Sequence, residues 1–278
     1  MSVQSRLQRR IQRYGWDLAA ATYEPLWRNQ LASAQSEMLA LAGLVSGECV
    51  LDVACGTGLV TFEAARSVGA FGLVLGVDIS GHMVDSARQR AIDAGIPNVR
   101  FQRMDAEQLD LPDRKFDVVL CALGLMYVAD PVQAVREMHR VLRPGGRLVA
   151  AVWGERHRCG WSTVFPIVDA EVHSEVCPLF FQLGQPGMLA AVCSEASLTV
   201  TAQCRIDSTL VYEDGDAACD AAFVGGPVAL AWSRFDAAAR ARVRARYLDS
   251  IGNWRHGTGY RVPGEFVVLA AQKAPAAA

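Results

Sequence analysis

No stretch of this 278-residue chain approaches the roughly 18–20 consecutive apolar residues needed to span a bilayer, and its first residues, MSVQSRLQRR, are too polar for a secretory core. The expectation is a cytoplasmic protein with no membrane span. Charge of one sign is lacking too. Lys and Arg number 27 against 29 Asp and Glu, a formal charge of −2, so no global field attracts a polyphosphate backbone and nucleic acid is not expected as a partner. The eight cysteines include no CxxC pair, and their uneven spacing supplies neither a zinc signature nor a small secreted disulfide framework. They read as reduced, mostly buried thiols, and no metal is expected. Nor is there an internal repeat.

What is present is the composition of a folded globular chain, 51% apolar and 20% charged. From Val50 to Trp153 short apolar runs alternate with amphipathic segments, the pattern of βαβ units wound on a parallel sheet. Ser80 is placed to cap a helix that Gly95 and Pro97 stop. Asp130-Pro131 is placed to start another, which ends at Arg143-Pro144-Gly145-Gly146. Beyond Trp153 the rhythm lapses into a stretch rich in Trp, Phe, His and Pro. LTVTAQCRI then alternates as an antiparallel strand with one wet face should, and EFVVLAAQ can pair with it. Pro227 opens a segment whose Leu230, Val243, Tyr247 and Ile251 fall near helical spacing, and the APAAA end reads as a frayed tail. Arg6, Arg9, Arg10 and Arg13 share helical spacing with Leu7, Ile11 and Tyr14, the pattern of a solvated amphipathic face or, alternatively, of a binding role.

The chemistry starts at LDVACGTG, residues 51–58. There an apolar strand meets a turn in which Gly56 and Gly58 let backbone approach a ligand, just before a helix. Asp78 ends the next apolar run and suits a ribose diol, because two adjacent hydroxyls need an acceptor-only partner. Both NAD and S-adenosylmethionine carry that ribose. The loop separates them. A dinucleotide fingerprint needs a third glycine, whereas Gly58 is followed by Leu59, Val60 and Thr61, and Asp52 ahead of the glycines would repel a pyrophosphate but suits ammonium and sulfonium charges.

LDVACGTG, VDIS at 77–80, MDAEQLDLPDRKFDVV at 104–119 and REMHRVLRPGGRLV at 136–149 together resemble the class I S-adenosylmethionine-dependent methyltransferases, and within them the group that includes quinone C-methyltransferases and natural-product enzymes. The resemblance implies an α/β fold: a Rossmann-like, doubly wound sheet of seven strands, mostly parallel with an antiparallel last strand, plus helical cap elements. It divides the chain into a helical lid (1–44), a cofactor-binding core (45–153), and cap insertions with the last strands (154–278). It implies S-adenosylmethionine as cofactor. Asp52 and the backbone of Ala54, Cys55, Gly56, Thr57 and Gly58 would surround its methionine part. Asp78 would take the ribose, Ile79 the adenine face, and Asp105 with Ala106 the adenine edge. Met83 either packs on that ring or serves ordinary helix–sheet packing, and Cys121 at the fourth strand borders the site. Two departures stand out: Ala54 replaces the first glycine, and LGLMYVADP lacks the Arg-Asn pair of quinone C-methyltransferases.

The expected function is methyl transfer to a small-molecule acceptor by a monomer or homodimer. The rivals are repurposed chemistry on a retained cofactor fold, a non-catalytic partner subunit, and a dinucleotide reductase. Candidate bases are Tyr127 after the fourth strand, and Glu155 or His157 after the fifth. Tyr14, Trp16, Tyr23 and Trp27 either form a lid or simply pack a helix, and Met126 and Trp161 are further candidates for substrate contact. Trp161, Phe165, Phe180 and Phe181 either line an aromatic pocket or form the core of the cap.

Overall fold

The computed structural model describes residues 3–173, 177 and 179–276, the first four of these as backbone only. The Arg6 side chain and the last two residues of the alanine-rich end therefore lie outside the described residues. Helix α1 (Val3–Ala42) is a single 40-residue rod that runs through Pro25. Its buried positions, Ala19, Ala20, Trp27, Leu31, Ala34, Met38 and Ala42, recur at helical spacing and turn one continuous face onto the molecule.

The winding units follow: β1 (Cys49–Val53), α2 (Leu59–Val68), β2 (Leu73–Asp78), α3 (Gly81–Asp93), β3 (Val99–Arg103), β4 (Phe116–Ala122), α4 (Pro131–Val141) and β5 (Leu142–Trp153). Their punctuation matches the sequence signals. Ser80 Oγ accepts from the Met83 N–H at 3.1 Å and Asp130 Oδ1 from the Gln133 N–H at 2.9 Å, while Gly95 takes a left-handed φ of 60° after α3. Past the core come α5 (Val164–Val172), α6 (Met188–Glu195), β6 (Leu198–Tyr212), α7 (Gly215–Phe223), α8 (Ala229–Ser233), α9 (Ala237–Ser250), β7 (Arg255–His256) and β8 (Gly259–Lys273). The segment opened by Pro227 is thus two helices rather than one. Asp236 caps the second through the Ala239 N–H, which separates Leu230 from Val243 and Tyr247.

The strand order is β3-β2-β1-β4-β5-β8-β6. The pairs from β3 through β5 are parallel, and β8 runs antiparallel to both β5 and β6. Seven strands form the path, and the two-residue β7 pairs with β8 as an eighth. LTVTAQCRI does pair with EFVVLAAQ, and β6 lies at the sheet edge with alternate residues exposed. The order reverses between β1 and β4, so a crevice opens at their carboxyl ends, where open α/β sheets hold ligands.

The aromatic stretch after Trp153 packs as core. Phe180 lies 4.7 Å from Phe165, 4.8 Å from Phe181 and 5.6 Å from Trp161, ring centre to ring centre, and all four side chains are buried. Among the described residues no helix is long and apolar enough to cross a membrane.

Candidate active site

Leaving β1, the chain enters the left-handed region at Ala54 (φ 57°), Gly56 (φ 54°) and Gly58 (φ 89°). Asp78, at the end of β2, ties this turn down. One carboxylate oxygen accepts from the Gly56 N–H and the other from the Ser80 N–H, both at 2.9 Å. A carboxylate has about four acceptor positions, so capacity for a ligand's hydroxyls remains. Burial pushes the Asp78 carboxyl up to about 6, against the pull of those N–H donors.

Asp52 is wholly buried behind the turn. Thr61 Oγ1 donates to its Oδ2 at 2.6 Å, whereas Oδ1 has no hydrogen-bond partner. Burial raises this carboxyl to about 7, with nearby Asp78 adding to the effect. The buried Thr57 Oγ1 is likewise unpartnered. Asp78 keeps acceptor capacity on the cleft side of the glycine turn, which suits a ligand's diol, so the turn and Asp78 fit S-adenosylmethionine.

The turn forms one wall of a cleft enclosing about 990 Å³ of empty space, measured out to its mouth. Ala54, Gly56, Asp78, Ile79, Met83, Asp105 and Ala106 line one end. Helix α1 roofs the cleft with Arg9, Gln12, Trp16, Tyr23, Trp27 and Leu31. It is clasped at several points. Arg9 pairs with Asp105 (3.1 Å) and with the buried Glu107, Asp17 Oδ1 accepts from Ser80 Oγ (2.6 Å), and Arg90 pairs with Glu24. Arg10, Arg13 and Arg103 border an adjoining hollow with Arg9. The expected solvated face at Arg9 is therefore corrected, because its charge is spent on the cleft rim.

The other end is aromatic: Met126, Tyr127, Trp153 and Trp161, closed by Leu123, Gly124, Gly226 and Pro227. Trp16 bridges Tyr23 and Tyr127 edge-on, at 5.7 and 5.0 Å between ring centres. Burial drives the phenols of Tyr23 and Tyr127 well above their ordinary value, and for Tyr23 the carboxylates of Asp78 and Asp52 add to this.

Three candidates from the sequence do not reach the cleft. His157 is 72% exposed, and Glu155 turns toward Arg205 (3.7 Å) and His157 (4.0 Å). The cause is Glu265 on β8, whose buried carboxylate accepts from the Glu155 N–H (2.9 Å), Arg158 (2.6 Å) and Arg205 (2.6 Å) and pins the loop against β8 and β6. Tyr14 lies on the outer face of α1 with the Arg13 guanidinium 4.4 Å over its ring. Asp52, Cys55, Thr57, Gly58 and Cys121 sit behind the cleft wall rather than on it. Gly58 backs onto Phe62 and Phe101, and Thr57 offers its carbonyl to Arg90 at 2.7 Å. Cys55 and Cys121 are buried, and burial lifts the Cys121 thiol to about 12. Among the lining residues that sequence reasoning missed are Gln12, Leu31, Glu107, Leu123, Gly124, Trp153, Gly226 and Pro227. The Trp16, Tyr23, Trp27, Leu31 spacing was a usable helical signal for the roof. The Gly226-Pro227 turn carried none.

A sheet of this order, with a glycine turn and an acidic strand end at its switch point, defines the class I S-adenosylmethionine-dependent methyltransferase fold. Residues 50–146 match the family model described as a methyltransferase domain, and the chain carries such a domain of the class I, S-adenosylmethionine-dependent type. Over 142 residues it is 39% identical to the ubiquinone/menaquinone biosynthesis C-methyltransferase UbiE of Cellvibrio japonicus, covering 51% of this chain and 54% of that protein. The chain thus spans about half the length of the curated relatives it matches. Among solved structures, the BH2331 protein of Bacillus halodurans C-125 superposes with a TM-score of 0.64 at 20% identity, covering 87% of this chain and 99% of that one. The [4+2]-cyclase SpnF superposes with a TM-score of 0.59 at 21% identity, covering 87% and 80%. At such identities the likeness is one of fold.

Proposed function

We propose that the protein transfers a methyl group from S-adenosylmethionine to a small-molecule acceptor seated in the aromatic chamber under α1. One observation carries this reading: a single cleft joins the glycine turn and Asp78 to an aromatic chamber. Donor and acceptor can therefore be held side by side, which is most of what an in-line methyl displacement requires.

When bound, the donor supplies a methyl group already activated by its sulfonium. The protein's residues bind and orient. Ala54 and Gly56 on the turn offer backbone, Asp78 offers acceptors to a diol, and Asp52, buried behind the wall, acts on positive charge in the cleft through the field of its ionised carboxylate. Ile79, Met83, Asp105 and Ala106 line the place for the base. Helix α1 excludes water. Of the candidate bases only Tyr127 lines the cleft, and its raised pKa keeps it a neutral phenol near pH 7, able to donate a hydrogen bond and ill suited to remove a proton. The reaction then rests on proximity and on an acceptor that is nucleophilic in the bound state.

The test is calorimetry with S-adenosylmethionine and with NADH, followed by incubation with methyl-labelled donor and fractionated small-molecule extracts. Donor binding, label transfer and release of S-adenosylhomocysteine support the reading, and NADH binding in its place refutes it. A second reading keeps the cofactor pocket and drops methyl transfer. That neither Glu155 nor His157 reaches the cleft and Tyr127 is held as a neutral phenol, together with the structural likeness to a cyclase, favours it. Conversion of a substrate without S-adenosylhomocysteine would establish that alternative.

A further inference from the structure

The hollow that adjoins the cleft has cationic walls. Arg9, Arg10 and Arg13 reach it from α1 and Arg103 from the end of β3, while Ile79, Met104 and Asp105 complete its lining. Arg9, Ile79, Met104 and Asp105 also line the cleft, so the two spaces share a wall. The first 16 residues, MSVQSRLQRRIQRYGW, carry four arginines and no Asp or Glu, in a chain whose formal charge is −2. Positive charge is concentrated at this end of the roof helix.

Little of that charge is spent inside the protein. Arg9 is committed to Asp105 and Glu107. Among the described residues no carboxylate pairs with Arg10, Arg13 or Arg103. Asp105 is the one carboxylate that lines the hollow among them, and it already takes Arg9 at 3.1 Å and the Glu107 N–H at 2.9 Å. Two of the open guanidinium groups are fixed in place. Arg13 lies 4.4 Å over the Tyr14 ring, with its Nε buried and without a hydrogen-bond partner. Arg103 donates from Nε to the Ile79 carbonyl at 3.1 Å, which leaves its terminal NH2 groups for a ligand.

Guanidinium groups that line one concavity from two elements suit an anion, because each presents its N–H donors in a planar fork. A carboxylate has only two oxygens to share among three such groups. A phosphate monoester has three free oxygens and nearly twice the charge. We propose that this hollow is a binding site for a phosphate group, held by Arg10, Arg13 and Arg103 beside the Asp78 end of the cleft. The assignment stands on the hollow alone, whatever the neighbouring cleft binds. The phosphate has two sources: a free ester from solvent, or the headgroup of an anionic bilayer, against which the exposed Leu7, Tyr14 and Leu18 of α1 would lie.

Calorimetry at fixed ionic strength tests the site, with glycerol 1-phosphate and acetate as small probes. Sedimentation with vesicles of phosphatidylglycerol and phosphatidylcholine, against phosphatidylcholine alone, supplies the lipid arm. Wild type should bind one phosphate probe, and Arg10→Gln/Arg13→Gln or Arg103→Gln should bind it about ten-fold more weakly. Arg261→Gln, which removes an exposed arginine on β8, should bind as wild type. Thermal unfolding of each variant separates lost binding from lost fold. Binding of the ester, at least about ten-fold tighter than acetate, assigns a free ligand. Binding of the anionic vesicles alone, weakened in the same variants, assigns a headgroup. The proposal fails if neither probe binds, if acetate binds as well as the ester, or if Arg261→Gln loses as much as the hollow variants.

Discussion

Ala54 and Gly124 share one space: a Cβ on residue 124 would stand 2.4 Å from the Ala54 Cβ and 3.0 Å from Cys121 Sγ. The left-handed Ala54 at the first turn position is accommodated because the loop after β4 gives way, so the departure from glycine there is balanced across the sheet's switch point. Gly124→Ala should overpack this contact, lowering stability by about 1–3 kcal/mol and weakening donor binding. Adding Ala54→Gly should restore both. Thermal unfolding and calorimetry on the double variant check the coupling, and two independent, additive losses would refute it.

Asp52 and Asp78 give donor binding a pH dependence of definite sign. Burial raises their carboxyls from 3.8 to about 7 and about 6, so the folded free protein binds protons that the unfolded chain has released. Their contribution to stability is greatest toward pH 3.8 and is lost as pH rises through about 7. A cationic donor needs the ionised forms. Its affinity should therefore fall with acidification, by up to about ten-fold per pH unit below the free-protein pKa, with protons released on binding at neutral pH. Calorimetry in buffers of different ionisation enthalpy measures that release, and its absence would remove Asp52 from the donor site.

Arg9 fastens the roof to the cleft rim. Arg9→Ala leaves Glu107, whose side chain is only 3% exposed, without its cationic partner and with the Ala129 N–H as a donor, a loss of about 1–3 kcal/mol. Release of S-adenosylhomocysteine should quicken because α1 lifts more easily. Stopped-flow release rates equal to wild type would show that the pair does not gate the cleft.

Asp78→Asn should cost more than ligand contacts alone. The amide presents an NH2 toward one of two backbone N–H groups, so the glycine turn loosens as donor affinity drops by about 1–3 kcal/mol. A lowered melting temperature in the free protein distinguishes this dual role from a pure ribose contact.

His157→Ala should leave turnover within about two-fold of wild type, as expected for an exposed side chain remote from the chemistry. A large loss in kcat with unchanged donor affinity would mean that the loop held by Glu265 swings into the cleft during the reaction.

Much of the fold was legible because local rules suffice for it. Apolar runs, Ser80, Asp130 and Gly95 are short-range signals, and β6 was legible from the alternation of LTVTAQCRI, with EFVVLAAQ as an apolar run able to pair with it. The donor end was legible for a similar reason: the glycines, Asp52 and Asp78 occupy strand ends that the winding must bring together. The acceptor end was not. Trp27, Trp161 and Gly226 come from segments distant in sequence, and nothing local distinguishes a tryptophan that walls a cavity from one that fills a core.

By itself, then, the sequence determined the doubly wound core and the chemistry of the donor turn, since both follow from backbone periodicity and residue type at fixed offsets. Tertiary structure alone decided which side chains line the aromatic end of the cleft. It brought α1 down as a roof, paired Ala54 with Gly124, and drew His157 and Glu155 away through a carboxylate on β8, more than a hundred residues along the chain. Contacts of that range depend on how whole elements pack, and packing is settled by shape and burial summed over the molecule rather than by any neighbouring residue.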